Sequence, residues 1–234
     1  TFYKKNENEF SNKLKPVYKA IEMTRKKLNK EKSLICFIGA PWTLILYMFG
    51  LRKNKSEKEP IDLSELDNKK FLIDEIMDKL VNFLCIHIKN QINAGADVVQ
   101  IFDSWAGLLP SDKVIDYCFE PNAKIVEFCK KYTAPCICFP KGIGQKYELF
   151  NKFVKSDGIN LDSNIDPSWA RDKLKNVVIQ GGLDPKELLK SENQMFEGAT
   201  KYIKAFREMP YVFNLGHGLL PETDPDKVDK LIKF

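Results

Sequence analysis

Histidine is almost absent from this chain, which has only His87 and His217, and the six cysteines include no Cys-x-x-Cys pair. A bound metal held by such residues is therefore not expected. Cys36, Cys85, Cys118, Cys129, Cys136 and Cys138 lie mostly inside apolar runs, which reads as reduced core thiols of a cytosolic protein. No apolar stretch approaches the ~20 residues that cross a bilayer, and Thr1 to Glu9 contains no signal-peptide core, so no membrane partner is expected. The first residue is Thr and not Met, which reads as an excerpt or a processed product. Nucleic acid is not expected either: 37 Lys and Arg against 32 acidic residues leave a diffuse net charge of +5, with no Arg-rich or aromatic-interleaved tract.

What is present is enough apolar material, 44% of 234 residues, to bury one sizeable core, so residues 1–234 are expected to form a single domain. The chain is organised around Ala96 to Pro110. Val98, Val99, Ile101 and Phe102 make a run too continuous for a one-sided sheet and too short for a helix, which predicts a strand buried on both faces. Asp103 and Ser104 then sit where that strand ends. In a sheet of parallel strands, ligands bind beyond the carboxyl ends, so this polar pair marks where function is expected.

The same alternation recurs along the chain. A helix over Pro16 to Lys30, with Val17, Ile21 and Leu28 at helical spacing, leads into a strand at Leu34 to Ile38. Gly39, Ala40 and Pro41 break that strand, and a helix follows with Thr43 and Tyr47 on one face. Leu51 to Asn68 is polar and Lys-rich and reads as an exposed loop. Phe71 to Asn93 is a long helix with Ile73, Ile76, Met77, Leu80, Leu84, Ile88 and Ile92 in a stripe; His87 borders it as a surface or core-edge residue. Further strands are predicted at 134–140, 158–163, 176–180 and 211–218, with helices at 114–132, 144–154, 167–174 and 185–208 between them. About six strands alternating with helices spell a parallel sheet, and a closed barrel of this kind needs eight.

Four segments decide between an open sheet and a barrel short of its first units: Gly39-Ala-Pro-Trp-Thr-Leu with Tyr47, Gln100-Ile-Phe-Asp-Ser-Trp-Ala-Gly107, Gln180-Gly-Gly-Leu-Asp-Pro185, and Phe213-Asn-Leu-Gly-His-Gly-Leu-Leu-Pro221. In that order they resemble the uroporphyrinogen decarboxylase family. The resemblance implies an α/β fold, a (β/α)8 TIM barrel whose first strand–helix units are missing from this chain. It implies a cytoplasmic homodimer that removes carbon dioxide from the four acetate arms of uroporphyrinogen to give coproporphyrinogen in haem biosynthesis, with no cofactor. The family's first two strands carry Arg-x-x-Gly-Arg-Tyr and Phe-Ser-Asp motifs, which supply its arginines and its aspartate; neither is found in these residues. The catalytic residues are thus unknown here. Tyr47, Ser104 and His217 are the expected substrate contacts, the first two as hydroxyl donors.

Other residues at these strand ends keep two readings. Asp103 is either a second carboxylate in the cleft or a cap on the next helix. Trp42 and Trp105 read as packing, and Asn214 as a group that could orient His217. His217, between Gly216 and Gly218, either binds a substrate carboxylate or only fixes its turn through a backbone hydrogen bond. Two other functions compete: a zinc-dependent corrinoid methyltransferase of the same superfamily, for which no His-x-Cys appears at a strand end, and a truncated non-catalytic barrel. Missing strands would leave open edges and an aggregation-prone chain.

Overall fold

The computed structural model describes residues 6–51 and 70–234, so the predicted Leu51–Asn68 loop lies outside the described residues except for Leu51. Among the described residues six strands form one sheet: β1 (Ile35–Gly39), β2 (Val98–Asp103), β3 (Cys136–Pro140), β4 (Gly158–Leu161), β5 (Val178–Gly181) and β6 (Tyr211–Val212). They lie in chain order, every neighbouring pair parallel. Each strand was legible as a short β-branched or aromatic run. The last is shorter than the predicted 211–218, because beyond Val212 pairing shrinks to a single bridge between Leu183 and Leu215 before the glycine-rich turn.

The sheet is curled. β2 and β5 are three strand spacings apart, about 14 Å across a flat sheet, yet Gln180 Nε2 reaches Gln100 Oε1 at 3.2 Å and Asn160 Oδ1 at 2.7 Å. These amides therefore meet inside a concave face, which also carries the ring ladder Phe37–Phe102–Phe139, with centroids 5.6 and 6.1 Å apart. The alternate side chains, Ile38, Val99, Ile101, Cys138 and Ile159, point outward and are buried under the helices. The curled, singly wound sheet is the geometry of a β/α barrel wall. On the two outer strands among the described residues, and just beyond the second, apolar side chains stay open: Ile35 and Phe37 are 42% and 64% exposed, Val212 and the following Phe213 40% and 38%.

The convex side is covered by α1 (Glu7–Lys27), α2 (Pro41–Met48), α3 (Lys70–Asn93), α4 (Glu120–Lys131), α5 (Tyr147–Val154), α6 (Pro167–Lys173), α7 (Glu192–Ala205) and α8 (Pro225–Lys233). Three boundaries differ from the sequence-based expectation. Helix α1 starts nine residues before Pro16, capped by Asn6, whose side chain accepts from Glu9 N. Pro16 is tolerated inside it because it lies on the exposed side, where water can meet the carbonyl it leaves unpaired. The predicted 185–208 helix is two pieces: a tight turn over Pro185–Leu189, then α7, started afresh by a capping box in which Ser191 and Gln194 satisfy each other's turn. Helix α4 is preceded by a wide turn of π type at Ile115–Phe119.

Helix α1 packs on α3 through Phe10 against Phe83 and Tyr18 against His87. His87 is thus the core-edge residue expected. Its Nδ1 lies 3.0 Å from Tyr18 Oη and its Nε2 2.9 Å from Gln91 Nε2, which also donates to Phe37 O. With Gln91 donating to Nε2, the neutral ring carries its proton on Nδ1, and burial depresses its pKa. The unfolded chain then binds the proton first as pH falls, so this contact contributes its full stability above pH ~6.5 and loses it as pH drops through the lower folded value. Hydrogen exchange of α1 amides, corrected for intrinsic rates, should accelerate between pH 7 and pH 5 in the wild type, and His87→Gln should flatten that dependence; equal acceleration in both would refute the assignment.

Candidate functional site

Since all strands run one way, the segments after β1, β2, β5 and β6, which contain the four motifs, emerge at one end of the sheet. After β1, Ala40 N still reaches Phe102 O at 2.9 Å, and Pro41 then begins α2 where its missing N–H costs nothing. Burial falls away along this eight-residue helix: Thr43, Ile45 and Leu46 are buried, whereas Tyr47 is 54% exposed. The four-residue spacing that predicts a shared face for Thr43 and Tyr47 is thus divided by depth. Thr43 turns into the core, and Tyr47 stands at the helix's open end.

Thr43 meets Asp103. Its Oγ1 donates to Asp103 Oδ1 at 2.8 Å and its backbone N–H also points at the carboxylate. Asp103, the last residue of β2, is 1% exposed and faces the helix layer like Val99 and Ile101 before it. Neither sequence-based reading of Asp103 holds. It is no cleft carboxylate, and it caps the preceding helix α2, not the following one. Asn122 Nδ2, which holds the Cys118 carbonyl of the π turn at 2.7 Å, lies 3.3 Å from Asp103 Oδ2. Desolvation raises Asp103 to about 6, against the opposing pull of these donors.

Ser104 follows directly, half-buried in the turn after β2. Trp42, fully buried, stacks on Tyr117 and donates from Nε1 to Trp105 O at 3.2 Å, so it packs as expected and also ties α2 to the Ser104 turn. Gly107 closes this turn against Gly142, where a Cβ would come within 2.5 Å of the carbonyl oxygen.

At the far edge, Gly181 and Gly182 adopt φ of 77° and 100°, a region that favours glycine. Gly216 N donates to Leu183 O at 2.7 Å, and a Cβ on Gly216 would lie 2.6 Å from Ser163 N. His217 is therefore presented by a turn pressed onto the end of β4. The imidazole is exposed and accepts at Nδ1 from Gly218 N (2.7 Å), which leaves the neutral ring's proton on Nε2. The turn-fixing hydrogen bond exists, and it orients the ring without burying it. His217 borders a cavity of about 370 Å³ with Leu188, Phe213, Leu219 and Val228. Asn214 uses its Oδ1 on Leu215 N, not on His217.

Two features escaped the sequence reading. Asp162, buried after β4, accepts from Gly142 N, Tyr147 Oη and Asn164 N and so repeats at β4 what Asp103 does at β2. An Asp ending an apolar run was the available signal in both. The lumenal amides Gln100, Asn160 and Gln180 are the second; Gln180 Oε1 is buried with no hydrogen-bond partner among the described residues. The six cysteines are buried free thiols. Among the described residues no cluster of three or more His, Cys, Asp or Glu could hold a metal ion, and no helix is long and apolar enough to cross a membrane.

Comparison with known proteins agrees with this layout. A family model described as uroporphyrinogen decarboxylase matches residues 3–234. A uroporphyrinogen decarboxylase of Orientia tsutsugamushi (strain Ikeda) is 38% identical over 225 residues, 95% of this chain and 65% of that protein. The chain belongs to the uroporphyrinogen decarboxylase family. Further family members, each named uroporphyrinogen decarboxylase, come from Rickettsia bellii, 37% identical over 99% of the chain and 68% of the relative, and Cereibacter sphaeroides, 33% over 98% and 67%. The chain thus spans about two thirds of the length of the relatives it matches. Among solved structures, a methyltransferase from Methanosarcina mazei superposes with TM-score 0.71 at 15% identity, covering 93% of this chain and 62% of that one. A B12-independent methionine synthase from Shewanella sp. gives 0.61 at 15%, covering 92% and 64%. At that identity the likeness is one of fold.

Ionising the buried Asp103 costs roughly 3 kcal/mol more in the folded than in the unfolded state. Its folded pKa is raised, so the folded protein holds a proton that the unfolded chain has released between pH ~4 and ~6, and this contribution is lost as pH rises through that window. The unfolding free energy of the wild type should therefore fall relative to Asp103→Asn by up to about that amount from pH 4 to pH 7 in denaturant titrations. Parallel pH profiles would show that Asp103 does not titrate there.

Proposed function

We propose that this chain is the greater part of a uroporphyrinogen decarboxylase, a carboxy-lyase that converts the four acetate arms of uroporphyrinogen III to the methyl groups of coproporphyrinogen III. What carries the reading is the placement of the family's four motifs at the carboxyl ends of β1, β2, β5 and β6, on one end of one sheet. Tyr47, Ser104 and His217 are the proposed substrate contacts: two hydroxyls and an Nε2–H suited to donate to carboxylate oxygens. A cytosolic homodimer built on a single barrel domain completes the reading.

Decarboxylating an acetate on a pyrrole needs an electron sink. Protonation of the ring carbon supplies a cationic one, carbon dioxide leaves, and a second protonation completes the methyl group. An acid and an anion that steadies the cation are therefore required. Asp103 does not fill the second role, because its carboxylate faces the helix layer and is saturated by Thr43 and Asn122. The charged half of the cleft is assigned to the arginine and aspartate motifs that residues 1–234 do not contain.

Binding of a polyanion should suffer accordingly. Charge-assisted contacts are worth roughly 1.5–3 kcal/mol each, so two missing arginines weaken binding on the order of a hundredfold or more. Incubated anaerobically with uroporphyrinogen, residues 1–234 alone should aggregate or yield no coproporphyrinogen, while a chain extended by the coding sequence upstream of Thr1 should yield it. In the extended chain His217→Ala and Gly216→Ala should each raise KM about tenfold, the second by displacing the turn. Complete decarboxylation by the 234 residues alone would overturn the assignment of the charged half of the cleft to upstream motifs, and an inert extended chain would overturn the decarboxylase reading in favour of a non-catalytic barrel.

A further inference from the structure

Asp103 is an expensive way to cap a helix. The residue that precedes α2, Ala40, offers no side-chain acceptor, and Pro41 has no N–H, so Thr43 presents one of the first donors needing a partner. A Ser or Asp at position 40, itself a buried site, would be the local alternative. Instead the acceptor comes from another strand, sixty residues on, and is fully buried there. Its surroundings accept no substitute: Thr43 N–H, Thr43 Oγ1, Asn122 Nδ2 and the Cys118 thiol are all donors, and Cys118 is the one titratable group among them. Two acceptor oxygens fit this set, whereas an amide would turn an NH2 toward a donor. What a local cap cannot supply is a link between two strand ends. Tyr47 lies one turn beyond Thr43, and Ser104 is the residue after Asp103.

We propose that Asp103 is a positioning residue that sets the place of Tyr47 relative to Ser104, holding the Tyr47 helix to the Ser104 turn through Thr43. It rests on the proposed substrate role of those two hydroxyls. Ala40 N to Phe102 O and Trp42 Nε1 to Trp105 O run alongside and keep α2 near β2 when the carboxylate is altered. Loss of the link therefore moves Tyr47 without unfolding the sheet.

The test compares Asp103→Asn, Thr43→Val and Thr43→Ser in the upstream-extended chain, with uroporphyrinogen as the substrate and hydrogen exchange of the α2 amides as a readout that needs no activity. Asp103→Asn and Thr43→Val should raise KM roughly tenfold and threefold with kcat within about threefold. Exchange in α2 should quicken by a similar factor while strand amides keep their protection. Thr43→Ser, which keeps the hydroxyl, should restore both. Unchanged α2 exchange in Asp103→Asn would overturn the proposal, as would a variant that melts earlier throughout yet keeps the wild-type KM. Inactive wild-type protein would sink the decarboxylase reading, and the exchange data would still decide whether Asp103 holds α2.

Discussion

A parallel sheet wound strand by strand in chain order has one unavoidable consequence: every strand delivers its carboxyl end to the same side. The rest of this structure follows from that and from the curl of the sheet. Because the sheet bends far enough for Gln180 on β5 to touch Gln100 on β2, the loops are gathered around one mouth and not strung along a line. The helices only need to cover the outside, which they do with the apolar stripes of α3 and its neighbours.

Gathered loops must then be held, and the chain does this with buried polar groups as well as apolar contact. Asp103 and Asp162 each end a strand and each accept from two or three other segments. A buried carboxylate is unfavourable unless its lone pairs are met, so once built such a node resists rearrangement: losing any one donor leaves a desolvated acceptor. Glycine serves the same end differently. Gly107 against Gly142 and Gly216 against Ser163 are places where two backbones touch and a single Cβ would force them apart. A motif residue that looks catalytic on paper, such as Asp103, can therefore serve to fix the rim of the mouth.

Belonging to the uroporphyrinogen decarboxylase family gives these features their context, and the structure limits what each can do. A carboxylate beside a candidate substrate hydroxyl invites a chemical role, yet Asp103 points the other way. Tyr47 and His217 follow the two outer strands, β1 and β6, the one mostly exposed on a helix end and the other on a glycine-flanked turn.

The amino-acid sequence by itself determined the six strands and the long α3 through local periodicity: runs such as Val98 to Phe102 have one stable disposition, buried on both faces between helices. The barrel class came from the four motifs that resemble the family. The sequence also marked Tyr47, Ser104 and His217, because motif identity survives without coordinates. Only the tertiary structure decided which way Asp103 faces, that Pro16 lies within a helix, and that Gln100, Asn160 and Gln180 meet. Each of those is a matter of partners about twenty to eighty residues distant, or of which helix face meets solvent. Local propensity has no knowledge of a donor that arrives from another strand, and burial, which raises the cost of every unmatched polar atom, selects among alternatives that the linear pattern leaves equal.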